Sequence, residues 1–128
     1  MRINLHVIVI GAGLTGSFFL KEMIAYLHMK QENLIRTDIT VFDPGSIGKE
    51  DLGAVYIRED LGQNRALLLS ELLKEQYDYE VTAVPGDFSV GSPVLQISKR
   101  DYVFMVDCSD GSIPGDCVIE MVADFQDP

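Results

Sequence analysis

The chain has 128 residues, 47% of them hydrophobic, which suits a single domain able to bury a core. Its 20 acids against 10 bases give a formal charge of −10, spread along the sequence. That balance argues against nucleic acid or an anionic membrane as the main partner, because binding a phosphate backbone needs a basic face. No apolar run approaches the roughly 18 residues needed to span a bilayer. Met1-Arg-Ile-Asn-Leu5 runs straight into a strand, so no signal peptide and a cytoplasmic location are expected.

Val7 to Ile10 is a continuous β-branched run, as expected of a strand covered on both faces of a parallel sheet. Gly11, Gly13 and Gly16 follow at G-x-G-x-x-G spacing. In such a turn the first glycine makes the bend and the second admits a phosphate to the backbone. The third lets helix and strand pack closely, and the helix N-terminus presents free N–H groups to an anion. A turn of the same shape without a ligand is the alternative, since glycines at this spacing also serve ordinary strand-to-helix turns.

The first helix is predicted from Leu14 to Lys30, with Leu20, Met23, Ile24 and Leu27 facing the core and His28 capping or on the surface. Gln31 to Asp38 reads as a loop, and Ile39 to Asp43 as a second strand stopped by Pro44-Gly45. Asp43 at the strand tip is either a ribose ligand, as in dinucleotide-binding folds, or the acid of a Pro-Gly turn. Ser46 to Arg58 shows little periodicity. Glu59-Asp60 is read as opening a second helix that buries Leu68, Leu69, Leu72 and Leu73.

Tyr79 to Val84 is predicted as the third strand, followed by a loop to Arg100 with a short extended piece at Val94 to Ile97. Tyr102 to Asp107 is the fourth strand, left as a sheet edge, and a last helix is expected from about Asp116. Two cysteines, Cys108 and Cys117, make neither a disulfide framework nor a zinc pattern and read as buried or unreactive thiols. Alternating strands and helices predict a Rossmann-like three-layer α/β fold, mainly parallel, in the strand order 3-2-1-4. That order would gather Gly11 to Gly16, Asp43 and Asp107 to Asp110 along one crevice at the carboxyl ends of the strands.

As an ordered set, Asp43, Asp51-Leu-Gly, Glu59-Asp-Leu-Gly-Gln-Asn-Arg65-Ala66 and Asp107-Cys-Ser-Asp110 resemble the ThiF/MoeB superfamily of ubiquitin-activating-enzyme-like adenylyltransferases. The long first helix, His28 and Glu80-Val-Thr-Ala-Val-Pro85 resemble ThiF-type proteins of mobile gene clusters in particular. The resemblance implies ATP or AMP binding with magnesium and a possible homodimer. Its chemistry would be activation of the C-terminal carboxylate of a ubiquitin-like or small carrier protein as an acyl-adenylate. It also implies that Gly11, Gly13 and Gly16 form the phosphate turn and that Asp43 takes the ribose. Arg65 would stand where the family has a catalytic lysine on the phosphates, and Asp110 where it has a catalytic, magnesium-binding aspartate.

The pattern departs from the family at Ala54, where an arginine would meet the triphosphate, and at Gly45 and Gly111. The match covers the family's amino-terminal half, read as one domain over residues 1–128. A nicotinamide-binding redox domain and a non-catalytic interaction module are the other readings of the same turn.

Overall fold

The computed structural model describes residues 3–109 apart from 31–34, together with the backbone of residues 118–122. Strands β1 (Ile3–Ile10), β2 (Ile35–Phe42), β3 (Thr82–Val84), β4 (Tyr102–Asp107) and β5 (Val118–Val122) form one sheet in the order β3-β2-β1-β4-β5. The first four are parallel in the predicted order 3-2-1-4, with β1 central between β2 and β4. Helix α1 (Leu14–Lys30) follows the expected bounds, and α2 spans Arg65–Tyr77.

Alternation along β1 divides the core. Val7 and Val9 point, with Ile39, Val41 and Val106, toward α1 and α2, where Leu20, Ile24, Leu69 and Leu73 are fully buried. Ile8, Phe42 and Val103 face the other side and are covered by Phe88, Leu95 and Ile97. The third layer is therefore irregular chain between β3 and β4, laid on an apolar face where such folds commonly carry a helix. His6 pins that layer: its Nε2 lies 2.8 Å from Asp101 Oδ2, which also accepts the Ser98 N–H at 3.0 Å.

Several expectations are corrected. Val118 to Val122 belongs to a strand antiparallel to β4, where a helix was expected, and β4 is consequently covered and not an edge. Glu59-Asp60 sits in a single 3-10 turn (Arg58–Asp60), and α2 starts at Arg65 behind the cap Asn64. Strand β2 begins at Ile35, so Ile35 to Asp38 is strand where a loop was expected, while β3 shrinks to Thr82–Val84. Val94 lies in a turn, and among the described residues Leu95 to Ile97 pairs with no strand. Cys108 is disulfide-bonded, so it has no free thiol; Cys117 lies outside the described residues.

Candidate functional site

The chain leaves β1 at Gly11, whose φ of +94° is a conformation that side chains rarely adopt. A Cβ there would sit 2.9 Å from the Cys108–Ser109 backbone, so the turn closes directly against the end of β4. A Cβ on Gly16 would overlap the Gly11 carbonyl oxygen, which is the close strand-to-helix packing that the third glycine allows. Gly13 meets a different neighbour: its Cβ position lies 2.8 Å from Oδ1 of Asp51.

Asp43 ends β2 beside this turn and is almost wholly buried, at 3% exposure. Its Oδ2 accepts the Ala12 N–H at 2.7 Å and Arg65 Nε at 2.9 Å. Its Oδ1 accepts the Gly45 N–H at 2.8 Å and Arg65 Nη2 at 3.0 Å. These bonds fill the roughly four lone-pair positions an ionised carboxylate offers. Asp43 is thus both the acid of its own Pro-Gly turn and the bidentate partner of a guanidinium. Burial pushes its carboxyl up, but Arg65 and the two backbone N–H groups outweigh that and hold it below the usual carboxylate value.

Arg65, at the first position of α2, reaches a second acid. Its Nη1 lies 3.2 Å from Asp51 Oδ2 and 3.3 Å from the Ser46 carbonyl. The guanidinium lies across Gly45, where any Cβ would overlap it. Hydrogen bonding to Asp43, above the opposing effect of burial, raises the Arg65 pKa and keeps it cationic. Asp51 is itself fixed by the Gly48 N–H at 2.8 Å and is 4% exposed.

Under this cluster lies Tyr56, 2% exposed, whose hydroxyl is 2.6 Å from the Ala12 carbonyl and 3.1 Å from that of Arg65. It joins the glycine turn to the start of α2. Burial and the nearby charges of Asp43 and Asp51 push its phenol far above its usual pKa, so it stays a neutral donor. Asn64 completes the frame: Oδ1 caps α2 at the Leu67 N–H, and Nδ2 donates to the carbonyls of Asp43 and Gly45.

Above these residues opens a cavity of about 540 Å³, within the range of small-molecule sites. Gly11, Gly13, Thr15, Asp43, Asp51 and Arg65 line one part of it, and Phe42 and Phe88 another, their rings edge-to-face at 5.4 Å. The cavity sits at the carboxyl ends of the strands, beside the point where the chain crosses from β3 to β4 on the far side of β1. That is where open α/β sheets bind ligands.

The structure therefore brings together Gly11, Gly13, Gly16, Asp43 and Arg65, and adds Asp51, Tyr56 and Asn64. Asp43, Cys108 and Ser109 line the same cavity as the glycine turn, while Asp107 does not. Asp43 is tied to Arg65, and Asp107 turns onto the N–H and hydroxyl of Ser109. Asp110 lies outside the described residues. Among the described residues no group of three or more His, Cys, Asp or Glu side chains could hold a metal ion. Ala54 lies in the tight turn that Leu52 and Tyr56 bridge.

Fold and crevice together define a Rossmann-like α/β domain with a glycine turn at its topological switch point. Among solved structures the chain is similar to Escherichia coli MccB. The complex of MccB with succinimide superposes with a TM-score of 0.52 at 15% identity, over 80% of this chain and 36% of that one. The complex with ATP gives 0.50 at 14%, and that with AMPCPP and MccA gives 0.50 at 13%, each over 79% of this chain and 36% of MccB. The chain thus spans about a third of the length of the structures it matches, and at such identity the likeness is one of fold. No protein-family model and no curated protein matches the sequence. Among the described residues, no helix is long and apolar enough to cross a membrane.

Proposed function

We propose that this chain is an ATP- or AMP-binding domain of the ThiF/MoeB adenylyltransferase type. The observation that carries the reading is the glycine turn Gly11–Gly16 opening into a 540 Å³ cavity at the switch point of the sheet. The same fold holds ATP in MccB, which supports a nucleotide there. The phosphates would lie toward the turn and the Nη1 edge of Arg65, with the base toward Phe42 and Phe88. A direct bond between Asp43 and a ribose hydroxyl would replace one of the four hydrogen bonds that the carboxylate accepts.

Magnesium, with Asp110 as its ligand, would neutralise phosphate charge where the family forms an acyl-adenylate. The carboxylate activated would belong to a ubiquitin-like or small carrier protein, and the chain would work as a homodimer in the cytoplasm. MccB has been captured with MccA, which supports a small protein or peptide partner.

A second reading, a Rossmann-like interaction module without turnover, is favoured by one feature. Among the described residues that line the cavity Arg65 is the one arginine, it is engaged by two carboxylates, and Ala54 supplies no second cation.

Thermal unfolding with ATP and magnesium, with NAD, and without ligand separates these readings. A ligand at a hundred times its dissociation constant stabilises the native state by about 2.7 kcal/mol. The expected result is a higher Tm with ATP–magnesium, lost in Gly13→Val and reduced in Asp110→Ala, with pyrophosphate exchange then testing turnover. A rise with NAD alone would assign a redox cofactor, and no rise with any nucleotide would leave the interaction module.

A further inference from the structure

The acid at Gly13 changes what the turn can accept. Phosphate-binding turns work because the second glycine presents bare backbone to an anion. Here Oδ1 of Asp51 already stands 2.8 Å from the position a Gly13 Cβ would take, while Oδ2 holds the Nη1 edge of Arg65 and the Gly48 N–H. A carboxylate of this chain lies where a ligand's phosphate would approach, and it holds the one arginine edge that could meet that phosphate. The other edge is fixed: Nε and Nη2 form a fork with Asp43, so Nη1 can change partners without the guanidinium turning.

We propose that Asp51 is an internal competitor for the phosphate position and sets the site's preference among nucleotides. A phosphate settles on the turn only by displacing the Asp51 carboxylate from Gly13 and taking its place on Arg65 Nη1. Asp43 acts as the positioning residue that keeps the guanidinium in register during that exchange. Ligands lacking phosphate, such as a nucleoside, meet no such competition, and each added phosphate charge meets more repulsion while Asp51 stays in place. The inference rests on the nucleotide reading above.

The test is calorimetric titration of the full chain with adenosine, AMP and ATP, in the wild type and in Asp51→Asn. Asn keeps an oxygen for the Gly48 N–H and removes the charge. Asp51→Ser, which also keeps an oxygen acceptor, is run beside it in case either variant folds poorly. The expected result is adenosine affinity unchanged within about twofold, with AMP and ATP binding about tenfold tighter or more, ATP gaining most. If nucleotides tighten no more than adenosine, or bind more weakly, the proposal is overturned while the nucleotide reading stands. If adenosine and nucleotides alike bind none of the three proteins, the nucleotide reading fails and the proposal with it.

Discussion

Arg65 and Asp43 form a bidentate ion pair that is nearly dry on one side. The side chain of Asp43 is 3% exposed and that of Arg65 is 24%. Removing one partner of a buried pair leaves a charge without compensation, typically costing about 3 kcal/mol or more. Arg65→Met is therefore expected to destabilise the fold by about 3 kcal/mol in denaturant unfolding, with Arg65→Lys losing less because it keeps the charge but not the fork. A loss below about 1 kcal/mol would mean that the pair behaves as an exposed ion pair, against the geometry. The glycines and Asp43 were legible in the sequence because spacing and a strand end expose them, whereas Arg65 was singled out by the family resemblance alone. That Asp43 and Arg65 would bind each other was not, since nothing in a linear pattern tells a ligand-facing acid from one facing a guanidinium 22 residues away. Asp51 and Tyr56 were equally hidden as site residues: they lie in a stretch without periodicity, and only the return of that stretch over the glycine turn gives them a role.

Asn64 sits at the junction of three pieces, the tip of β2, the turn at Gly45 and the first turn of α2. Its cap on the Leu67 N–H is the ordinary kind, and losing such a cap typically costs about 1 kcal/mol. Its amide nitrogen also serves the carbonyls of Asp43 and Gly45, at 2.9 and 3.1 Å. Asn64→Ala is accordingly expected to lose about 2 kcal/mol, more than the cap alone. Asn64→Asp, which can cap but not donate, is expected to recover only part of that loss. Chemical denaturation of the three proteins decides it, and full recovery by aspartate would show that the amide bonds to β2 contribute nothing.

At this scale the sequence was clearest where patterns were long. The apolar stripe of α1 specified its element closely, and the β-branched run marked the inner half of β1, which starts at Ile3. Val118 to Val122 was misread because a short apolar run fits a buried helix segment and a strand alike. The pairing that makes it β5 comes from β4, which lies elsewhere in the chain. Asn64, rather than Glu59-Asp60, starts α2 for a related reason: acids suit the N-terminus of any turn, and the 3-10 turn at Arg58–Asp60 satisfies them without continuing.

The whole molecule carries twice as many acids as bases, and two of those acids are held low at opposite ends of the parallel strands, Asp43 after β2 and Asp101 before β4. The Ser98 N–H, with help from His6 and Asn4 and against the effect of burial, brings Asp101 down to about 2. Asp43 is also lowered, by Arg65 and the Ala12 and Gly45 N–H groups acting against burial. An acid whose folded pKa lies below its unfolded value near 4 contributes stability that is fully present above that value. The contribution is lost as pH falls toward the folded pKa, because the unfolded chain binds the proton first. Both groups thus predict a fold that weakens as pH falls below about 4, Asp101 releasing the irregular layer at His6 by about pH 2 and Asp43 loosening the glycine turn. Melting temperatures measured from pH 6 down to pH 2 should fall steeply across that window in the wild type. In Asp101→Asn the fall should be shallower, with a lower Tm already at pH 6, because an amide keeps the shape but takes up no proton. An unchanged slope in that variant would place the acid sensitivity elsewhere and leave the His6–Asp101 contact as packing alone.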